Sequence, residues 1–91
     1  MGTDFTLTMY AADEDAAAAA AAAAFARVSA LNKTFSDYDV DSEVRRLCDR
    51  STPGQWLPVS PDLADVLATA LDLSAASDGA FDVTVGPYVV L

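Results

Sequence analysis

Four acidic side chains at alternate positions, Asp37, Asp39, Asp41 and Glu43, are the first residues in this chain whose type and spacing could do chemistry. Carboxylates repeated in that way could hold a hard cation such as calcium. The segment lacks the glycine and closing glutamate that an EF-hand loop places at fixed offsets, so it reads as a solvated acidic link. Cys48 is the single cysteine, with Arg45, Arg46 and Arg50 close by in sequence. Those cations could lower its thiol pKa, but neither a resolving cysteine nor a base accompanies it. The chain has no histidine, which removes the commonest general base. Three residues remain as candidates for holding a ligand. Tyr38 offers an aromatic face or covers a helix end. Phe81 offers an aromatic contact or packs in a core. Asp82 binds a ligand or caps the turn that follows it, the commoner use of a turn aspartate.

The elements that must position these residues follow from local pattern. Residues 3–11 alternate, with Phe5, Leu7 and Met9 on one side and Thr6, Thr8 and Tyr10 on the other, which predicts a half-buried strand. Asp13, Glu14 and Asp15 supply an N-cap and a first turn of acids. The nine alanines Ala16–Ala24 come next, and a helix is predicted over about 14–33 with Phe25, Val28, Leu31 and Phe35 marking its buried face. Residues 34–41 form a polar link. A short helix is predicted over 42–49, capped by Asp41, with Val44 and Leu47 inward. Residues 50–55 make a loop and 56–59 a short extended piece. Ser60 and Pro61 are a helix start, serine at the N-cap and proline at N1. Leu63, Val66, Leu67, Ala70, Leu71 and Ser74 then fall on one face, and Gly79 is the expected C′ residue. Pro87 stands where a last helix could begin.

Composition bounds the function classes. The 91 residues make at most one domain, and the net charge of −9 rests on 14 acids against five cations. That balance argues against nucleic acid or an anionic lipid surface as partner, since either needs a basic patch. One cysteine permits no internal disulfide. The opening Met1-Gly2-Thr3-Asp4 does not read as a signal peptide, and the alanine run is too short to span a bilayer. The single predicted strand has no partner in the chain, and the last four residues include the aliphatic Val89, Val90 and Leu91. Both features lead to the expectation that the chain is the front part of a longer protein.

Three segments, in order and spacing, resemble the N-terminal part of the ApbE-type flavin transferases. They are Met1-Gly2-Thr3; the run Ser36-Asp37-Tyr38-Asp39-Val40-Asp41-Ser42-Glu43 leading into Val44-Arg45-Arg46-Leu47; and Ser60-Pro61-Asp62-Leu63 opening a helix that ends in Gly79-Ala80-Phe81-Asp82-Val83-Thr84-Val85-Gly86-Pro87. The tail GAFDVTVGP is the most specific of the three. Cys48 departs from the pattern, standing where many members carry asparagine, and the end at Val90-Leu91 replaces the usual continuation toward a tryptophan.

The resemblance implies an α+β fold of which this chain is the strand-plus-helices portion, residues 1–91 being the N-terminal part of a single domain. It implies an Mg²⁺-dependent enzyme that cleaves FAD, attaches FMN to a threonine or serine hydroxyl of an acceptor protein and releases AMP. Met1 matches a methionine lining the flavin nucleotide pocket, Tyr38 a tyrosine walling the FAD site, and Ala80, Phe81 and Asp82 a turn that contacts the cofactor. These residue types suit a flavin nucleotide, because a thioether and an aromatic face accept a flat ring and a turn offers backbone groups to its edge. No catalytic residue and no metal ligand is assigned to this chain. The Mg²⁺ ligands, a glycine-rich segment and a histidine-containing motif are expected beyond it, so the chain alone is expected to be inactive. Members of the family are commonly exported, often as lipid-anchored proteins, so a periplasmic or membrane-anchored parent is expected. The alternative from another class is a small acidic helical protein that binds a partner through the leucine face of residues 61–77.

Overall fold

Asp13 begins the first helix by the means its position predicts. In the computed structural model, which describes residues 2–86, its carboxylate accepts the Ala16 N–H at 2.8 Å. Helix α1 runs Glu14–Phe35, with Glu14 and Asp15 in the first turn and Lys33 in the last, both favourable to the helix dipole. The alanine run sustains it, because alanine loses least on entering a helix. The less exposed positions are Ala17, Ala21, Ala24, Val28, Leu31, Asn32, Thr34 and Phe35, all but Thr34 on a stripe of helical period. Phe25, expected on that face, lies off the stripe and is 44% exposed.

The chain divides into two compact units, Met1–Leu57 and Pro58–Leu91. In the first, α1 packs against α2, Glu43–Arg50. The cap of α2 is Ser42, not Asp41: the Ser42 hydroxyl accepts the Arg45 N–H at 3.2 Å. Asp41 instead donates its own N–H to the Asp39 carboxylate at 2.9 Å.

The expected N-terminal strand is absent, and the α+β class is corrected to a helical one. Residues 4–11 belong to no regular element, and the three elements of the described residues are all α-helices. Alternation marks two faces of a segment but does not supply the neighbour whose N–H and C=O groups would complete a ladder. A trace of the pattern survives in exposure, since Phe5, Leu7 and Met9 are partly covered while Tyr10 is fully open.

In the second unit, α3 spans Pro61–Ala76. Ser60 is its N-cap, accepting the Leu63 N–H at 3.3 Å, and Pro61 opens the first turn, both as predicted. Leu63 and Ala70 are buried, with Leu67 and Ser74 partly covered on the same stripe. Val66 and Leu71, expected on that face, are exposed. The helix ends earlier than Gly79, at C-cap Ser77. The Gly79 N–H reaches the Ser74 carbonyl at 2.9 Å and the Asp78 N–H reaches the Ala75 carbonyl at 3.2 Å. This is the paired closure of a Schellman motif, with Asp78 at C′ (φ 54°) and Gly79 after it (φ 78°). Among the described residues no helix is long and apolar enough to cross a membrane. Pro87 and the Val89–Leu91 tail lie outside the described residues.

Two left-handed residues in succession, only one of them glycine, give opposite expectations for neighbouring substitutions. A Cβ at position 79 would meet no neighbour, so Gly79→Ala carries the backbone penalty alone, about 1 kcal/mol. Asp78→Gly relieves the same strain at C′ and is expected to gain about 0.5 kcal/mol. Urea midpoints followed by far-UV circular dichroism should move in opposite directions for the two variants.

Candidate functional site

The link between α1 and α2 carries Tyr38, and two buried serines frame it. Ser36 and Ser42 are 4% and 1% exposed. A buried hydroxyl needs a partner, and each of these finds a backbone amide. Ser36 accepts the Asp39 N–H at 3.2 Å, while its own N–H donates to the Asn32 carbonyl at 2.9 Å and closes α1. Ser42 caps α2 and donates its N–H to the Asp39 carbonyl at 3.0 Å. Asp37 makes an exposed ion pair with Arg45 at 3.3 Å, a contact that adds little to stability.

Held this way, Tyr38 projects outward and is 83% exposed. One edge of its ring lies against Gly2: a Cβ built on Gly2 would stand 3.0 Å from Tyr38 Cε2. The residues that follow these two in sequence, Thr3 and Asp39, line a groove of about 420 Å³ with Phe5, Val28, Asn32 and Lys33. The groove mixes apolar, amide, cationic and acidic groups within the first unit. Met1, the other candidate expected here, lies outside the described residues.

The second set of candidates forms one turn after α3. Ala80, Phe81 and Asp82 are all exposed. The Ala80 N–H donates to the Ser77 carbonyl at 3.1 Å, and the Phe81 N–H donates to the Ser77 hydroxyl at 3.0 Å. That hydroxyl in turn donates to the Ser74 carbonyl at 3.2 Å. Asp82 Oδ1 accepts both the Thr84 hydroxyl, at 2.7 Å, and the Thr84 N–H, at 2.8 Å. These donors, the hydroxyl first, hold the Asp82 carboxyl below its usual 3.8. The resemblance leads one to expect a turn that offers amides to a ligand edge; the N–H groups of Ala80, Phe81 and Thr84 are instead engaged within the turn itself. Phe81 also lines an apolar groove of about 350 Å³ along α3 with Val66, Thr69, Ala70 and Leu73.

Tyr38 and Gly2 are therefore brought together in one unit, and Ala80, Phe81 and Asp82 in one turn of the other. Among the described residues no three histidine, cysteine or acidic side chains converge to hold a metal ion. Cys48 is a free, exposed thiol. Gly2, Ser36 and Ser42 are visible in the sequence only as letters of permissive motifs. The usable signal is the serine pair itself, two before and four after the tyrosine, at the end of one helix and the start of the next.

The first unit thus carries an outward aromatic, Tyr38, and a groove of mixed polarity lined by the residues that follow Gly2 and Tyr38 in sequence. The comparison with known proteins gives the chain a family. The model of the ApbE family matches residues 1–91, and the chain belongs to that family. The chain is 34% identical over 91 residues to the FAD:protein FMN transferase of Escherichia coli strain K12, covering all of this chain and 26% of that protein. The Salmonella typhimurium protein of the same name gives the same identity and coverage. The Haemophilus influenzae one is 41% identical over 61 residues, 67% of this chain and 18% of that protein. The chain thus spans about a quarter of the length of the curated relatives it matches over its full extent. No solved structure matches the chain significantly.

Two measurements check the turn and the link. The folded Asp82 carboxyl has the lower pKa, so the turn is favoured fully above the ordinary carboxylate value and loses that support as pH falls through the depressed one. In an NMR titration the Asp82 carboxyl carbon should have its midpoint below 3.8, and Thr84→Val should move that midpoint upward. Ser36→Ala leaves the Asp39 amide without its acceptor and should destabilise the first unit by about 1 kcal/mol, read from the urea midpoint.

Proposed function

We propose that this chain is the N-terminal part of the single domain of an FAD:protein FMN transferase and forms one side of its FAD site. The observation that carries the reading is full-length coverage by the ApbE family model together with 34% identity to a named FAD:protein FMN transferase. In the reaction proposed, a threonine or serine hydroxyl oxygen of an acceptor protein attacks the phosphorus of the FMN half of FAD. The bond to the bridging oxygen breaks, AMP leaves with that oxygen, and the hydroxyl proton passes to a base. FMN ends as a phosphoester on the acceptor.

This chain's residues would take part by binding. Tyr38 would stack on a flat aromatic ring, a use supported by its exposure. Lys33 and Asn32 would offer donors to polar groups of the nucleotide lodged there. Phe81 would present an apolar face, and Asp82 a carboxylate held below its ordinary pKa by the Thr84 donors. Among the described residues no three histidine, cysteine or acidic side chains converge to fit Mg²⁺. In this reading its ligands belong to other parts of the protein, and the parent is exported to the periplasm or anchored to a membrane.

The test is a transfer assay with FAD, Mg²⁺ and an acceptor peptide bearing a threonine. The full gene product should attach FMN, seen as flavin fluorescence on the peptide and a mass gain of one FMN less one water, with loss on chelation. The 91-residue chain alone should attach none. Transfer by the short chain, or none by the full product across several acceptors, would count against the reading.

A further inference from the structure

We propose that Gly2 is a positioning residue that seats the Tyr38 ring; its functional half rests on the reading of Tyr38 as a flavin contact. Two independent features of Gly2 lead there. Its φ is +63°, in the left-handed region where a side chain is strained. Its missing Cβ would also stand 3.0 Å from Tyr38 Cε2, tighter than most carbon contacts, with Cζ and the hydroxyl oxygen each at 3.7 Å. The ring edge thus meets bare backbone, and a side chain at position 2 would push the ring from this place.

Tyr38 needs such a seat. It is 83% exposed, and no buried apolar residue fixes its χ1 and χ2. The Ser36 and Ser42 hydroxyls hold the backbone on either side of it but leave the ring free to rotate. An exposed aromatic that rotates freely must be ordered when a ligand stacks on it, and that ordering weakens binding. Contact with Gly2 restricts the ring before the ligand arrives. The residues that follow the two partners, Thr3 and Asp39, line the groove of the same unit, so the contact ties together the two segments that supply them.

The contact and its consequence are tested separately. In the 91-residue chain, proton NMR should find the Gly2 α-protons shifted downfield by the ring current of Tyr38, whose edge they meet, and Tyr38→Ala should remove the shift. An unchanged shift overturns the contact. In the full gene product, FAD affinity is measured by flavin fluorescence for Gly2→Ala, Tyr38→Ala and the double variant. Gly2→Ala should weaken FAD by about tenfold, the scale of one misplaced stacking contact. In the Tyr38→Ala background the same substitution should change affinity by less than about twofold. A full penalty in both backgrounds would mean that Gly2 acts through backbone strain alone and would overturn the positioning role. Absence of FAD binding by the unsubstituted protein overturns the flavin reading and with it the functional role of the seat, while the proton shift still decides the contact.

Discussion

A hydroxyl with no water around it must find a backbone amide, and that requirement organises the first unit. Ser36 and Ser42 are its buried polar side chains, and each takes an amide three residues ahead. The first ends α1 and begins the link; the second ends the link and begins α2. The chain between them has little freedom left, because Asp39 joins both ends, its N–H bound to Ser36 and its carbonyl to Ser42. Tyr38 sits one residue before that junction. Its position is set by polar geometry and not by a core, which is why an aromatic can stand almost fully exposed and still have a defined place.

The second unit solves the same problem with the same chemistry. Its buried apolar residues are Leu63 and Ala70, both on α3, and of the turn at 77–85 Phe81 shares an apolar groove with Ala70. The turn is held by Ser77, whose hydroxyl both donates and accepts, and by Asp82, which gathers the two donors of Thr84. Each such bond adds on the order of 1 kcal/mol. Their number and short sequence span let a turn keep its form with Phe81 still 40% exposed. The Ala80, Phe81 and Thr84 amides are committed to the turn itself.

What can be read from the sequence divides along the same line between local and distant causes. The starts of α1 and α3 are legible because Asp13 and Ser60 act within three residues of themselves. Pattern alone puts the cap of α2 one residue early because Asp41 and Ser42 are both good caps, and the choice between them depends on Asp39, which engages both their amides. It puts the end of α3 too late because glycine marks positive φ, while here an aspartate takes the first left-handed position. The strand expected at 3–11 does not form because alternation is a property of one segment and a sheet is a property of two. Of the site, Tyr38 and Ala80–Asp82 can be named from the family resemblance. The approach of Gly2 to Tyr38 cannot, since nothing in either residue's neighbourhood records a partner so distant in the chain.

That distant contact also changes how the N-terminal tripeptide is understood. As a sequence it is too short to carry meaning, and as a strand entrance it would need only to be extended. With φ at +63°, Gly2 is not extended; it turns the chain and leaves a bare patch of backbone under a ring. A larger residue would have to resolve two conflicts at once, one with its own backbone and one with Tyr38. The second conflict is with the far end of an exposed ring, which can be met by turning the ring away, so the positive φ is the firmer demand for glycine and the cost of the contact falls on where Tyr38 points. The serine bonds of residues 36–42 hold the backbone from which the ring projects, so a ring displaced at position 2 turns about its own side-chain bonds and not with its link.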